Sequence, residues 1–184
     1  MYLTGIALVF ASAHGAGLTR YTNAATPLLD VTSGKPMGSL GPGVALDVLG
    51  RSSATTHVAV HGWSMHGANA IVFAAPDRHI VLLSAFAGHV TLGTSQNIAG
   101  VLYDSLTIEG SVANSALADD VQALWNNARD LYVQSCGSCH ALPATNAYSA
   151  NQWPAILKTQ APNAGLDAEQ TALLTTYLQV QSGR

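Results

Sequence analysis

Charge is scarce in this sequence. Of its 184 residues only 9% are Asp, Glu, Lys or Arg, against about 25% in an average soluble protein. Seven Lys and Arg set against ten Asp and Glu leave a net charge of −3 and no basic stripe. That balance excludes nucleic-acid binding built on phosphate neutralisation, and it deprives a membrane-surface helix of its cations. Sulfur is equally sparse, with two cysteines and three methionines. Beyond the amino terminus no run approaches the roughly 20 apolar residues of a spanning helix. Disorder is excluded in turn, because 48% of the residues are hydrophobic.

The apolar run at 2–13 (YLTGIALVFASA) closes on Ala11-Ser12-Ala13 and is followed by His14-Gly15. Small residues flanking a short apolar stretch predict an export signal over 1–13, or a membrane anchor if it is not cleaved. Export places the chain in an oxidising compartment. From about Tyr21 to Ile108 the pattern is that of short strands. Val44, Leu46 and Val48 alternate before Gly50, Thr56, Val58 and Val60 before Gly62, and the denser runs 70–75 and 80–86 stop at Pro76-Asp77 and near Gly88. A small, strongly bent all-β module over 20–110 is predicted.

After Ser111 the period changes. Val121, Leu124, Trp125, Ala128, Leu131 and Tyr132 mark one face of a helix. Trp153-Pro154 opens a second short helix. Asp167 with Gln170 is a capping-box signature for a third, which carries Leu173, Leu174, Tyr177 and Leu178. Gly and small polar residues between Glu109 and Ala118 predict the boundary, with a helical domain over 111–184.

The two cysteines and the next residue form Cys136-Gly137-Ser138-Cys139-His140. This is the spacing of c-type haem attachment. Two thiols three residues apart each form a thioether with a haem vinyl group, and the adjacent imidazole turns under the iron as the proximal ligand. A disulfide or redox pair is the alternative, but it lacks a βαβ context, and a zinc site lacks further ligands at the right spacing. One haem c is therefore predicted, held by Cys136, Cys139 and His140, with Pro143 orienting the imidazole. The sixth iron ligand is open. Methionine stands only at 1, 37 and 65, and neither methionine nor histidine follows His140. Met65 and His66, in a loop between strands, are candidate distal ligands, while His57, His61, His79 and His89 alternate with core residues. Gln160 lies near the usual place of the missing ligand, although an amide binds iron weakly.

Residues 136–140, with Tyr148, 150–154 (ANQWP), Leu157-Lys158, Leu166, Leu173-Leu174 and 177–179 (YLQ), resemble the C-terminal monohaem domain of the cytochromes that feed periplasmic trimethylamine-N-oxide reductase. Residues 44–50, 58–63, 71–74 and 80–83 are similar to the SH3-like segment preceding that domain. Two departures stand beside the likeness. The chain has one haem motif where those proteins have five, and it has Gln160 near a position where the family tends to carry methionine. The resemblance implies an α+β two-domain fold, a small SH3-like β-barrel module followed by an all-α class I-like cytochrome c domain, with Tyr148 and Trp153 in the haem pocket. It implies a periplasmic electron carrier rather than an enzyme, passing single electrons from a quinol-linked cytochrome donor to a molybdenum-dependent S-/N-oxide reductase. A haem-based sensor or small-ligand binder with an open sixth site is the alternative, and an SH3-like module binding peptidoglycan is a third reading.

Overall fold

The computed structural model describes residues 17–138 and 141–183. The expected signal at 1–13, and Cys139 and His140 of the haem motif, lie outside the described residues.

Ten strands come first: β1 (Thr19–Thr22), β2 (Thr26–Leu29), β3 (Pro36–Leu40), β4 (Ala45–Arg51), β5 (Thr55–Met65), β6 (Ala68–Phe73), β7 (Val81–Ser84), β8 (Thr91–Ile98), β9 (Val101–Ala113) and β10 (Leu117–Ala118). Three helices follow, α1 (Gln122–Cys136), α2 (Trp153–Gln160) and α3 (Ala168–Gln181). The strands form one sheet in the order β10-β1-β4-β5-β6-β7-β3-β2-β9-β8, and a further β5–β9 pairing closes β5, β6, β7, β3, β2 and β9 into a ring. All the pairings are antiparallel.

The centre of the sheet is the β5–β9 ladder, which runs from Thr55↔Ala113 to Met65↔Tyr103. Alternate residues of β5 point inward, so Val58 and Val60 meet Leu106, Ile108 and Val112 from β9 in a core completed by Leu28, Leu40, Leu46, Val72 and Leu83. The outward positions carry His57 and His61, each paired with a carboxylate of a neighbouring strand, Glu109 and Asp47, at 3.2 Å.

The helices build a second core from Trp125, Ala128 and Tyr132 of α1, Trp153 and Leu157 of α2, and Leu174, Tyr177 and Leu178 of α3. Helix α3 starts on the capping box expected from the sequence, with the Gln170 N–H donating to Asp167 Oδ1 at 2.8 Å and the Asp167 N–H to Gln170 Oε1 at 3.1 Å. None of the helices among the described residues is long and apolar enough to cross a membrane.

The expected fold class requires correction. The described residues are mostly antiparallel sheet with three short α-helices, and these do not make an all-α class I cytochrome c domain. Strand β8 is exposed at seven of its eight positions and carries no alternation to read. Helices of 15, 8 and 14 residues are marginal by themselves. They pack on one another and are tied to the sheet by hydrogen bonds. The Arg78 guanidinium donates to the Gln179 carbonyl at 2.9 Å, while the buried Gln179 amide donates to Ala150 O at 2.9 Å and to His79 O at 3.2 Å. The Asn151 side chain both donates to Asp77 O and accepts from the His79 N–H.

Gly43 is the tightest point of this junction. Its φ is +73°, and a Cβ there would lie 2.6 Å from Cζ2 of Trp125 and closer still to Cη2. Both the backbone conformation and the indole require glycine. Gly43→Ala is expected to cost roughly 2–4 kcal/mol, the sum of a left-handed alanine and a displaced Trp125. Equilibrium urea unfolding measures it, and a loss below about 1 kcal/mol would show that the indole has room to move.

Candidate functional site

Cys136 is the last residue of α1, half-buried where the helix meets its C-cap Gly137, whose N–H donates to the Val133 carbonyl at 3.1 Å. Burial pushes its thiol pKa above the ordinary value. The thiol lines an open groove of about 120 Å³, smaller than the roughly 300–1,000 Å³ typical of cofactor clefts. Helix α1 supplies Tyr132, Ser135 and Cys136 to the lining. Helix α2 and the turn after it supply Trp153, Ile156, Leu157, Gln160, Asn163 and Ala164, and Pro143 comes from the intervening loop. None of these residues carries a charge at neutral pH.

Two hydrogen bonds hold the loop between the walls. The Tyr132 hydroxyl donates to the Pro143 carbonyl at 2.8 Å, and the Trp153 indole N–H donates to the Thr145 carbonyl at 2.9 Å. Burial pushes the Tyr132 phenol up to about 12, with the neighbouring Cys136 thiol a smaller cause, so the hydroxyl stays a donor. The Pro143 carbonyl, expected to serve the imidazole of His140, is thus already engaged by Tyr132 through one of its lone pairs.

The predicted site residues divide between this groove and the sheet. Cys136 and Trp153 share the groove. Tyr148 packs edge-on against Trp153 at 4.9 Å between ring centroids but does not line it. Met65 ends β5, exposed, and His66 occupies the turn to β6. His66 Nδ1 lies 2.7 Å from Oδ2 of the buried Asp104, whose other oxygen accepts the Ser95 hydroxyl at 2.6 Å. The Ser95 hydrogen bond, then His66, hold the Asp104 carboxyl below the usual carboxylate range against its desolvation. Met65 and His66 are not among the groove-lining residues. His61 bonds Thr107 at 2.9 Å, and His79 stacks on Phe73 and lies 3.0 Å from the Tyr103 hydroxyl. Sequence reasoning singles out Gln160, which lines the groove, and misses Asn163, one turn further on. The i, i+3 spacing from Gln160 is the available signal.

Among the described residues no group of three or more His, Cys, Asp or Glu gathers into a metal site. The groove has the uncharged, largely apolar lining that an apolar cofactor needs, but in volume it is smaller than an ordinary cofactor cleft. It has uncharged walls, the ring of Trp153 on one side, and a thiol at the end of a helix on the other.

No family model matches the chain, and no solved structure matches it. Among curated proteins it is similar to the cytochrome c-type protein TorY of Escherichia coli O157:H7, 25% identical over 148 residues that make up 78% of this chain and 40% of that protein. It is also similar to the cytochrome c-type protein TorY of Haemophilus influenzae, 24% identical over 131 residues, 65% of this chain and 34% of that protein. The cytochrome c-type protein TorC of Escherichia coli (strain K12) is 25% identical over 180 residues, 94% of this chain and 46% of that protein. The chain therefore spans less than half the length of the curated relatives it matches, and what it is similar to is part of a cytochrome c-type protein.

Proposed function

We propose that this chain carries one haem c and passes single electrons in the periplasm, from a quinol-linked cytochrome donor to a molybdenum-dependent S-/N-oxide reductase of the trimethylamine-N-oxide type. The observation that carries the reading is the position of Cys136, the first residue of the Cys136–His140 motif, at the mouth of an uncharged groove. Cys136 and Cys139 hold the cofactor as thioethers, each S–H adding across a vinyl C=C so that no oxidant is consumed, and His140 ligates the iron. The raised thiol pKa suits this role, because a protonated Cys136 is slow to be lost to a disulfide with Cys139 in an oxidising compartment. When bound, the haem supplies a one-electron iron couple. Trp153, Ile156 and Leu157 exclude water from its face, and Tyr132 fixes the loop that leads back from the motif. Similarity to the cytochrome c-type proteins TorY and TorC supports the electron-carrier role, and the resemblance of residues 136–179 to the cytochromes that feed trimethylamine-N-oxide reductase suggests the class of acceptor.

The test is maturation of the full chain in a host with c-type attachment machinery. One haem per chain that survives acidified-acetone extraction, with c-type bands on reduction and reoxidation by the reductase in the presence of its N-oxide, is the expected result. Complete extraction of the haem would remove the reading.

A further inference from the structure

We infer that the outward face of the sheet carries a binding site for one ring of a neutral sugar, walled by Trp63 and read by the hydroxyls of Thr91 and Thr107. An open groove of about 290 Å³ crosses β5, β9 and β8 there, against about 120 Å³ beside Cys136, and the two share no lining residue. The register explains its shape. Trp63 pairs with Ser105 and His61 with Thr107, while Thr91 faces Thr107 from β8. One row across the three strands therefore falls from an indole to a serine to Gly93, and the next row is polar throughout. The register shift between Leu92 and Ser95 is a bulge that bends β8 around Ser105. The Ser105 hydroxyl accepts the Thr94 N–H at 2.7 Å and donates to the Thr94 carbonyl at 3.0 Å. A Cβ at Gly93 would lie 2.6 Å from that hydroxyl, so the glycine keeps the floor of the groove low.

The polar groups around that floor are of the kind a sugar needs. Trp63 is half-buried, and its indole N–H, without a hydrogen-bond partner among the described residues, stays open to solvent. The exposed Thr91 hydroxyl is likewise unpartnered among the described residues. Asp47 Oδ2 accepts from His61 Nε2 at 3.2 Å, which leaves His61 Nδ1 to accept the Thr107 hydroxyl at 2.9 Å. The Thr107 oxygen keeps a lone pair for a ligand. A pyranose with equatorial hydroxyls lays its C–H face on an aromatic ring, and its rim both donates and accepts, as an indole N–H, a hydroxyl and a hydroxyl oxygen do in return. No Asp, Glu, Lys or Arg lines the groove, so it has no group that would select an ionic ligand.

The full chain, isotope-labelled at nitrogen, is titrated with cellobiose, with chitobiose, and with sorbitol as a polyol that has no ring face. The indole N–H resonances of its three tryptophans are followed by nuclear magnetic resonance. At least one disaccharide is expected to give a saturable, millimolar shift of the Trp63 indole, identified by its loss in Trp63→Leu. The Trp125 and Trp153 indoles should stay unmoved, and sorbitol should not saturate. Read at the Thr91 and Thr107 amides, Trp63→Leu should weaken binding at least about 5-fold through the lost aromatic face. Thr91→Val should weaken it about 2- to 10-fold, the worth of one ordinary hydrogen bond. Thr91 is exposed, so its variant reports on the site even if Trp63→Leu disturbs β5. A Trp63 indole that neither disaccharide moves overturns the inference. So does an equal response to sorbitol, or an affinity unchanged in Thr91→Val.

Discussion

A Cys136→Ala, Cys139→Ala double variant is expected to retain no haem after denaturation, whereas each single variant keeps a reduced but measurable fraction. The sequence has only these two cysteines, so no other thiol can replace them. A thioether survives unfolding, and the iron–imidazole bond of His140 does not. Haem staining after denaturing electrophoresis separates the cases. Stability should follow. Helices of 15, 8 and 14 residues are marginal by themselves, and their core of eight buried residues is opened on one side by the groove beside Cys136. A haem held at Cys136 would add apolar burial that the helices cannot replace, and losing it would remove stabilisation by the linkage between ligand and folded state. The loss should be confined to the helical core, with the sheet signal melting near its original temperature. If the double variant holds haem through denaturation, or the sheet is lost together with the helices, attachment at the end of α1 is not what anchors this segment.

Local signals are legible in the sequence, and long-range ones are not. Asp167 and Gln170 form the capping box they advertise, and Trp125, Ala128 and Tyr132 line the buried face of α1 at the spacing expected. Each of these depends on residues within two turns of one another. The buried face of α1 runs on past Tyr132 to Cys136, one turn further, which packs against the same core, while Val133 and Gln134 are exposed. The fold class is hidden for a different reason. Val60 pairs with Ile108 and His57 with Ser111, far apart along the chain, and the exposed β8 pairs with β9 through backbone groups that leave no mark on side-chain pattern. Gly43 in contact with Trp125, which joins the sheet to the helices, is equally silent in the sequence, since a glycine beside Pro42 reads as an ordinary turn. At the site, Cys136 and Gln160 are legible from chemistry and position. Asn163 is not, because its place in the groove depends on how α2 packs against α1.

Trp153→Ala is expected to be among the most destabilising single substitutions in the helical core, at about 3–5 kcal/mol, out of a total stability of about 5–15 kcal/mol for such a chain. Trp153 is 1% exposed and stands edge-on to Tyr132, at 6.3 Å between ring centroids, as well as to Tyr148. Truncation empties the space between α1 and α2 and also leaves the Thr145 carbonyl without its indole donor. Trp153→Phe separates the two effects, because the ring is largely kept while the hydrogen bond is lost, and it should cost about 1–2 kcal/mol. Tyr148→Ala provides the contrast. That ring is 38% exposed and packs edge-on with Trp153, so its removal should cost about 1 kcal/mol or less. Urea unfolding followed by near-ultraviolet circular dichroism gives all three values. From the largest loss to the smallest, the expected order is Trp153→Ala, Trp153→Phe, Tyr148→Ala, because Trp153 forms the groove wall as well as the core, while Tyr148 only covers it from outside. Equal losses on replacing Tyr148 and Trp153 by alanine would mean that the two aromatics act as one unit and that the wall facing Cys136 is set by the loop as much as by α2.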